Sequence, residues 1–216
     1  MSAKCAGRPY GPADLARDVA VSREILARLH AHAAVLQAWQ PRLNLVGRST
    51  LGDLWRRHML DSAQLFPLLP GDPAALALLD MGAGAGFPGL VLAAMGAGHV
   101  HLVESDARKA AFLRAAVRAM GLGGAVSVHQ TRLQDLAPWP VDVVTARALA
   151  PLDSLLRWSH PFAQPGTLWI FPKGRSVERE LTAARACWKM RAVLRPSLSD
   201  ASGRILLISE VEPHGR

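Results

Sequence analysis

LLDMGAGAGFPG, residues 78–89, sets four glycines within eight positions directly behind an apolar run. A strand that passes through a tight turn into a helix exposes bare backbone beyond the strand's carboxyl end, where open α/β sheets bind their ligands. Gly82, Gly84 and Gly86 admit positive φ and hold no side chain in the way, so the chain there can lie against a ligand. Pro88 suits an early helical position, where its missing N–H costs nothing. Gly84 to Gly89 formally match G-x-G-x-x-G, so a nicotinamide dinucleotide and another nucleoside cofactor both stay open at this point.

The next apolar run, HVHLVES (99–105), brings Glu104 to its end, 20 residues after Gly84. A carboxylate so placed accepts hydrogen bonds from both hydroxyls of a ribose, which NAD and S-adenosylmethionine each carry. The combination points to an adenosine-type cofactor without choosing between them. Asp80, just ahead of the first glycine, reads either as an acceptor that fixes the loop or as a cofactor contact.

Working outward, short apolar runs alternate with longer helical patterns beyond Gly71 and Pro73: ALALLDM, PGLVLAAM, HVHLVES, ARKAAFLRAAVRAMGL, AVSVHQ and VDVVTARA. Such alternation predicts right-handed crossovers and a doubly wound, mainly parallel sheet covered on both faces. After Pro151 the pattern predicts a helix over 152–162, a strand over 167–171, a helix over 177–189 and two closing strands, 191–198 and 204–211. The five-residue link SDASG between those two suits a hairpin and is too short for a parallel crossover, so an antiparallel closing strand is expected.

Upstream, Leu15, Val19, Ile25, Leu26, Leu29, Ala33, Leu36 and Trp39 recur at three- and four-residue spacings and predict one or two amphipathic helices. Pro41 is expected to interrupt them and LNLVGR (43–48) to run extended. Ser49 or Thr50 then caps a helix through Leu51 to Leu65, stopped by Pro67 and Pro70. Residues 1–72 are read as a helical extension ahead of a cofactor-binding domain over 73–216.

The 216 residues, half of them hydrophobic, are enough for one sizeable core. No apolar run reaches the roughly 18 residues of a membrane span, and MSAKCAGRPYGPADLARD lacks the apolar segment of a secretory signal, so a cytoplasmic protein is expected. Cys5 and Cys187 lie far apart with no neighbouring ligand residues, which leaves neither a disulfide framework nor a metal site. The formal charge of +8 favours a polyanionic partner through counterion release. A compositional bias toward arginine, 21 of the 25 basic residues, is the other explanation.

Five blocks in order, RRHMLDS (56–62), DMGAGAGFPGLVLA (80–93), LVESDARKAAFLR (102–114), TARALAPL (145–152) and FPKG (171–174), resemble the RsmG family, also called GidB, over about residues 35–211. The pairing of the first block with the glycine loop is more specific than either alone. The resemblance implies a Rossmann-like, class I S-adenosylmethionine-dependent methyltransferase that modifies N7 of a guanine in 16S ribosomal RNA. It implies that Gly82 and Phe87 contact the cofactor, that Gly84 and Gly86 shape the same loop, and that Glu104 holds the ribose. The family reaches the adenine from a segment usually ending Arg-x-Glu-Glu; here the segment is TRLQDL, which gives Leu133 and Gln134. Backbone contacts survive that change, whereas a carboxylate contact would fall to Asp135 or be lost. Arg147 matches a family position near the site of methyl transfer.

Guanine N7 presents an in-plane lone pair, so transfer needs alignment and no prior proton removal; proximity and orientation can carry it. The absence of a convincing nucleophile and base pair in the sequence agrees with this. Arg147, Lys173 and Arg132 all follow strands of one sheet and are the candidates for the catalytic centre. Arg56, Arg57, Arg108 and Lys109 are the candidate phosphate contacts. His58 and Asp61, three apart on one helix, either close over the cofactor or pair and pin that helix to the sheet. Trp139, between two prolines, is either core or a platform for a base. The expected partner is 16S rRNA or a small-subunit particle, met by a monomer that needs neither metal nor membrane. A nicotinamide-dependent oxidoreductase and a catalytically silent RNA-binding or assembly factor are the rival readings.

Overall fold

The computed structural model describes residues 8–214; Cys5 lies outside them. Seven strands form one sheet in the order β3-β2-β1-β4-β5-β7-β6. They are β1 (Ala77–Met81), β2 (His99–Val103), β3 (Val126–His129), β4 (Val141–Ala146), β5 (Ala163–Lys173), β6 (Trp188–Pro196) and β7 (Arg204–Pro213). The first five pair in parallel, and β7 runs antiparallel to both β5 and β6. This is the mainly parallel Rossmann-like sheet with an antiparallel closing strand that the sequence predicts. The order reverses at β1, between β2 and β4, so the glycine loop opens at the topological switch point where such sheets take their ligands.

Side chains alternate along each strand between two cores. Leu78, Val100, Val143 and Ile170 face α5 (Gly89–Ala94), α6 (Ala107–Ala119) and the N-terminal helices. Leu79, Val103, Val144, Trp169 and Phe171 face α7 (Leu152–Ser159) and α8 (Val177–Ala184). The first core is continuous with α1 (Pro12–Asp18) and α2 (Arg23–Leu43), whose Leu15, Leu29 and Leu36 are fully buried with Leu90 and Phe112.

Four local expectations are corrected. Pro41 does not interrupt α2, which runs on to Leu43. The proline falls in the last turn, where Asn44 ends the helix in the left-handed conformation at φ 45°. Buried Gln40 then folds the chain back, donating to the Val46 carbonyl at 2.7 Å and accepting the Val46 N–H at 3.1 Å. The helix expected over 51–65 is broken into α3 (Arg48–Leu51), a π-helical turn over Trp55–Leu60 and α4 (Asp61–Ala63), and His58 and Asp61, on either side of the last junction, both reach Arg147 just beyond β4. The helix expected over 152–162 ends at Ser159 and tightens into a 3₁₀ turn at Pro161. The helix expected over 177–189 stops at Ala184, because Trp188 and Lys189 pair with Pro213 and Glu212 in the β6–β7 ladder.

Candidate active site

Gly82, Gly84 and Gly86 adopt φ of 63°, 51° and 82°, all in the left-handed region that a side chain disfavours. The loop is held by its neighbours along the strand ends. Ala83 N–H donates to the Val103 carbonyl at 3.0 Å. Gly84 N–H donates to one Glu104 oxygen at 2.9 Å and Asp106 N–H to the other at 2.8 Å. Each carboxylate oxygen keeps a further lone pair for a ligand. Asp80 is the loop-fixing acceptor: it is fully buried, takes Gly89 N–H at 3.0 Å and lies 3.0 Å from the Thr145 hydroxyl. Burial pushes its carboxyl up to about 7.

Behind the loop stands a stack that the sequence motifs only partly announce. His32, on α2 and wholly buried, donates from Nε2 to the Ala85 carbonyl at 2.8 Å, which places its proton on that nitrogen. Burial pulls it down to about 4, so it stays neutral. Phe87 packs between His32 and His58, with ring centres 4.8 and 5.2 Å away, and Arg147 lies over its face at 5.0 Å.

His58 performs the pinning role, and what it pins is Arg147. Arg147 donates to His58 Nδ1 at 2.8 Å; His58 Nε2 therefore carries the proton and donates to the Thr50 hydroxyl at 2.9 Å, which donates in turn to the Gly47 carbonyl at 2.9 Å. Burial first, then the neighbouring Arg147 and Arg57, hold His58 down at about 3, so the relay keeps one direction across the neutral range. Arg147 also donates to the Arg57 carbonyl at 3.2 Å and faces Asp61 at 3.6 Å.

Two cavities flank the tripeptide Arg147-Ala148-Leu149, which lines both. The smaller, about 340 Å³, is bounded by Gly82, Gly84, Glu104, Arg132, Leu133 and Gln134. A Cβ on Gly82 would come within 2.6 Å of Leu149 Cδ1, the tip of an exposed side chain that can move aside, so it is the positive φ that holds this position to glycine. The carboxylate and the glycine backbone together fit the ribose and amino-acid parts of S-adenosylmethionine. The larger cavity, about 820 Å³, holds Arg57, His58, Asp61 and Lys173 besides the shared wall.

The predicted residues thus divide. Arg147 and Lys173 meet the large cavity, but Lys173 is neutralised by Glu180 at 2.8 Å and also donates to the Ala150 carbonyl. Arg132 lies in the smaller cavity, away from Lys173, and so does Lys109. Leu133 is buried and Gln134 exposed in a 3₁₀ turn over Leu133–Asp135. Phe87 and Gly86 support the loop from behind; the Phe87 ring is 3% exposed. Arg57 pairs with Asp200 at 2.7 Å, Arg56 donates to the Ser199 carbonyl, and Arg108 is exposed, with a 3.7 Å contact to Asp106 its one ion pair among the described residues. Trp139 is half-buried, its ring packed against His101, His129 and Phe162 at the margin of the second core. His32, Ser199 and Asp200 carry no motif and enter through contacts distant in sequence, and Thr50 enters through His58, eight residues on.

The seven-stranded order with its antiparallel β7, and an acid-anchored glycine loop at the switch point, define a Rossmann-like fold built to hold a nucleoside cofactor. The same fold occurs in an S-adenosylmethionine-dependent O-methyltransferase from Thermotoga maritima, with a TM-score of 0.55 and 13% identity over 72% of this chain and 66% of that one. Fibrillarin from Aeropyrum pernix, solved with natively bound S-adenosyl-L-methionine, gives 0.54 and 13% over 70% and 76%. The sequence places the chain more narrowly: it belongs to the GidB family, rRNA small subunit methyltransferase G, whose model matches residues 25–205. The proteins named ribosomal RNA small subunit methyltransferase G from Paramagnetospirillum magneticum and Rhodospirillum centenum are 53% and 52% identical to it. The first match covers 93% of this chain and 96% of the relative, the second 90% and 88%. The formal match of the loop to a dinucleotide fingerprint is therefore an overlap of two glycine-rich turns, and S-adenosylmethionine is the cofactor.

Proposed function

We propose that the protein methylates N7 of a guanine in 16S ribosomal RNA, as a cytoplasmic monomer acting on the RNA or on a small-subunit particle. One observation carries the reading beyond the family: Arg147 is fixed on the wall shared by the cofactor cleft and the large cavity. A cation there meets the base that enters from one side at the point where the methyl group is offered from the other. S-adenosylmethionine supplies a methyl carbon whose bond to sulfur breaks as the N7 lone pair closes on it, and the bonding pair stays on sulfur as a neutral thioether.

The protein's own task is alignment. Glu104 and the backbone at Gly82 and Gly84 hold the donor, Leu133 and Gln134 border its far end, and the His58 relay fixes Arg147 against the incoming base. Holding reacting atoms about 3–3.5 Å apart and in line is the recognised source of such rate enhancement. No carboxylate or imidazole is required as a base. His58 is already committed as acceptor to Arg147 and donor to Thr50, in keeping with that. Arg57 lines the large cavity with Arg56 next to it in the chain, Lys109 lines the cofactor cleft with Arg108 next to it, and these four are the proposed phosphate contacts. The test is a map of N7-methylguanosine in 16S rRNA from cells with and without the gene, together with transfer of labelled methyl by the purified protein. One such residue should disappear with the gene; an unchanged map removes the proposal.

A further inference from the structure

We infer that Asp61 accepts the N1–H of the target guanine while Arg147 contacts O6, so that the pair selects guanine over adenine; this deepens the N7 reading and rests on it. The nucleophile imposes the first constraint. An arginine on guanine ordinarily takes O6 and N7 together, but N7 must keep its lone pair for the methyl carbon, which leaves O6 to Arg147. Passing round the purine from N7, the next group is the O6 acceptor and the one after it the N1–H donor. Arg147 lines both the cofactor cleft and the large cavity, whereas Asp61, 3.6 Å from it, lines only the larger and so stands on the side away from the cofactor. Donor and acceptor therefore fall in the order that guanine requires.

The carboxylate is also built for the task. Asp61 Oδ1 is taken by the Ser199 hydroxyl at 2.6 Å and Gln64 Nε2 at 3.1 Å, which fix the side chain's orientation. Among the described residues Oδ2 has the 3.6 Å ionic contact with Arg147, too long for a hydrogen bond, and no hydrogen-bond donor of its own, so the side chain brings a spare acceptor to the cavity it lines. Adenine offers an amino group at position 6 and a lone pair at N1, opposing both protein groups. During transfer, positive charge leaves sulfur and enters the purine, so N1–H becomes a stronger donor. The contact with Asp61 tightens as the bond forms and acts on kcat more than on KM.

The test compares the wild-type protein with D61N on small ribosomal subunits from cells lacking the gene. The amide oxygen of the near-isosteric asparagine keeps the Ser199 and Gln64 bonds, and its NH₂ then meets the N1–H, donor against donor. The expected result is a fall in kcat of roughly 10- to 100-fold, with S-adenosylmethionine affinity by calorimetry unchanged. The decisive readout is the pH profile. As pH rises through the ionisation of guanine N1, that atom becomes an acceptor, so wild-type activity should decline while D61N gains relative to it. A D61N enzyme with wild-type kcat, or one whose loss runs parallel to wild type at every pH, overturns the inference. A wild-type protein that forms no N7-methylguanosine on these subunits overturns the underlying reading instead.

Discussion

Replacing Asp80 by asparagine should remove a pH dependence of stability that the wild-type fold carries beneath its cofactor loop. Asp80 is fully buried between Gly89 N–H and the Thr145 hydroxyl, and its carboxyl is raised from 3.8 to about 7, chiefly by burial. A raised acid binds its proton more tightly in the folded than in the unfolded chain. Its contribution to stability is therefore complete below about 3.8, is lost progressively as pH rises to about 7, and is constant above that. At about 1.4 kcal/mol per pH unit, this window amounts to about 4 kcal/mol. Asparagine keeps an oxygen for Gly89 N–H and offers its amide to Thr145, with nothing to titrate. Urea denaturation of both proteins, followed by tryptophan fluorescence from about pH 4 to about pH 8, isolates this group, since the other titrations cancel in the difference. The stability difference should move in favour of D80N by about 4 kcal/mol across the range. Parallel curves would refute the assignment of a proton to Asp80 at mildly acidic pH.

His58→Ala leaves an N–H of Arg147 without its acceptor. Single-turnover methyl transfer should slow by about 1–3 kcal/mol in barrier, roughly 5- to 150-fold, with cofactor affinity unchanged and part of the rate restored by His58→Asn. Glu104→Gln turns an amide NH₂ onto either Gly84 N–H or Asp106 N–H, both of which now find a carboxylate oxygen within 3 Å. S-adenosylmethionine binding measured by calorimetry should weaken by about 1–3 kcal/mol, and an unaltered Kd would show that Glu104 does not form the cradle.

The parts of this molecule legible in its sequence are those whose physics is local. A glycine run between an apolar strand and a helix, with Glu104 at the next strand end, specifies both the loop and the acid that anchors it. The five-residue link before Arg204 specifies the antiparallel hairpin. What stayed hidden depends on contacts between distant segments. Nothing around His32 announces that it will meet the Ala85 carbonyl 53 residues away, and Thr50 looks like a cap when its hydroxyl serves His58. Pro41 reads as a stop because the sequence does not display the Gln40–Val46 hydrogen bonds that let the last helical turn close around it. Lys173 reads as a free cation because Glu180, on the following helix, is brought against it only by folding.

The bond from His32 to Ala85 joins α2 to the glycine loop. It ties the outermost layer of the protein to the very loop that must grip the donor, and the same apolar interior runs from Leu15 and Leu36 to Phe112. A chain shortened to begin near residue 72 would keep every signature sequence of the cofactor cleft yet turn Leu90 and Phe112 out to water. The amino-terminal helices therefore serve as the foundation on which the catalytic half stands, and we expect the two to melt as a single block.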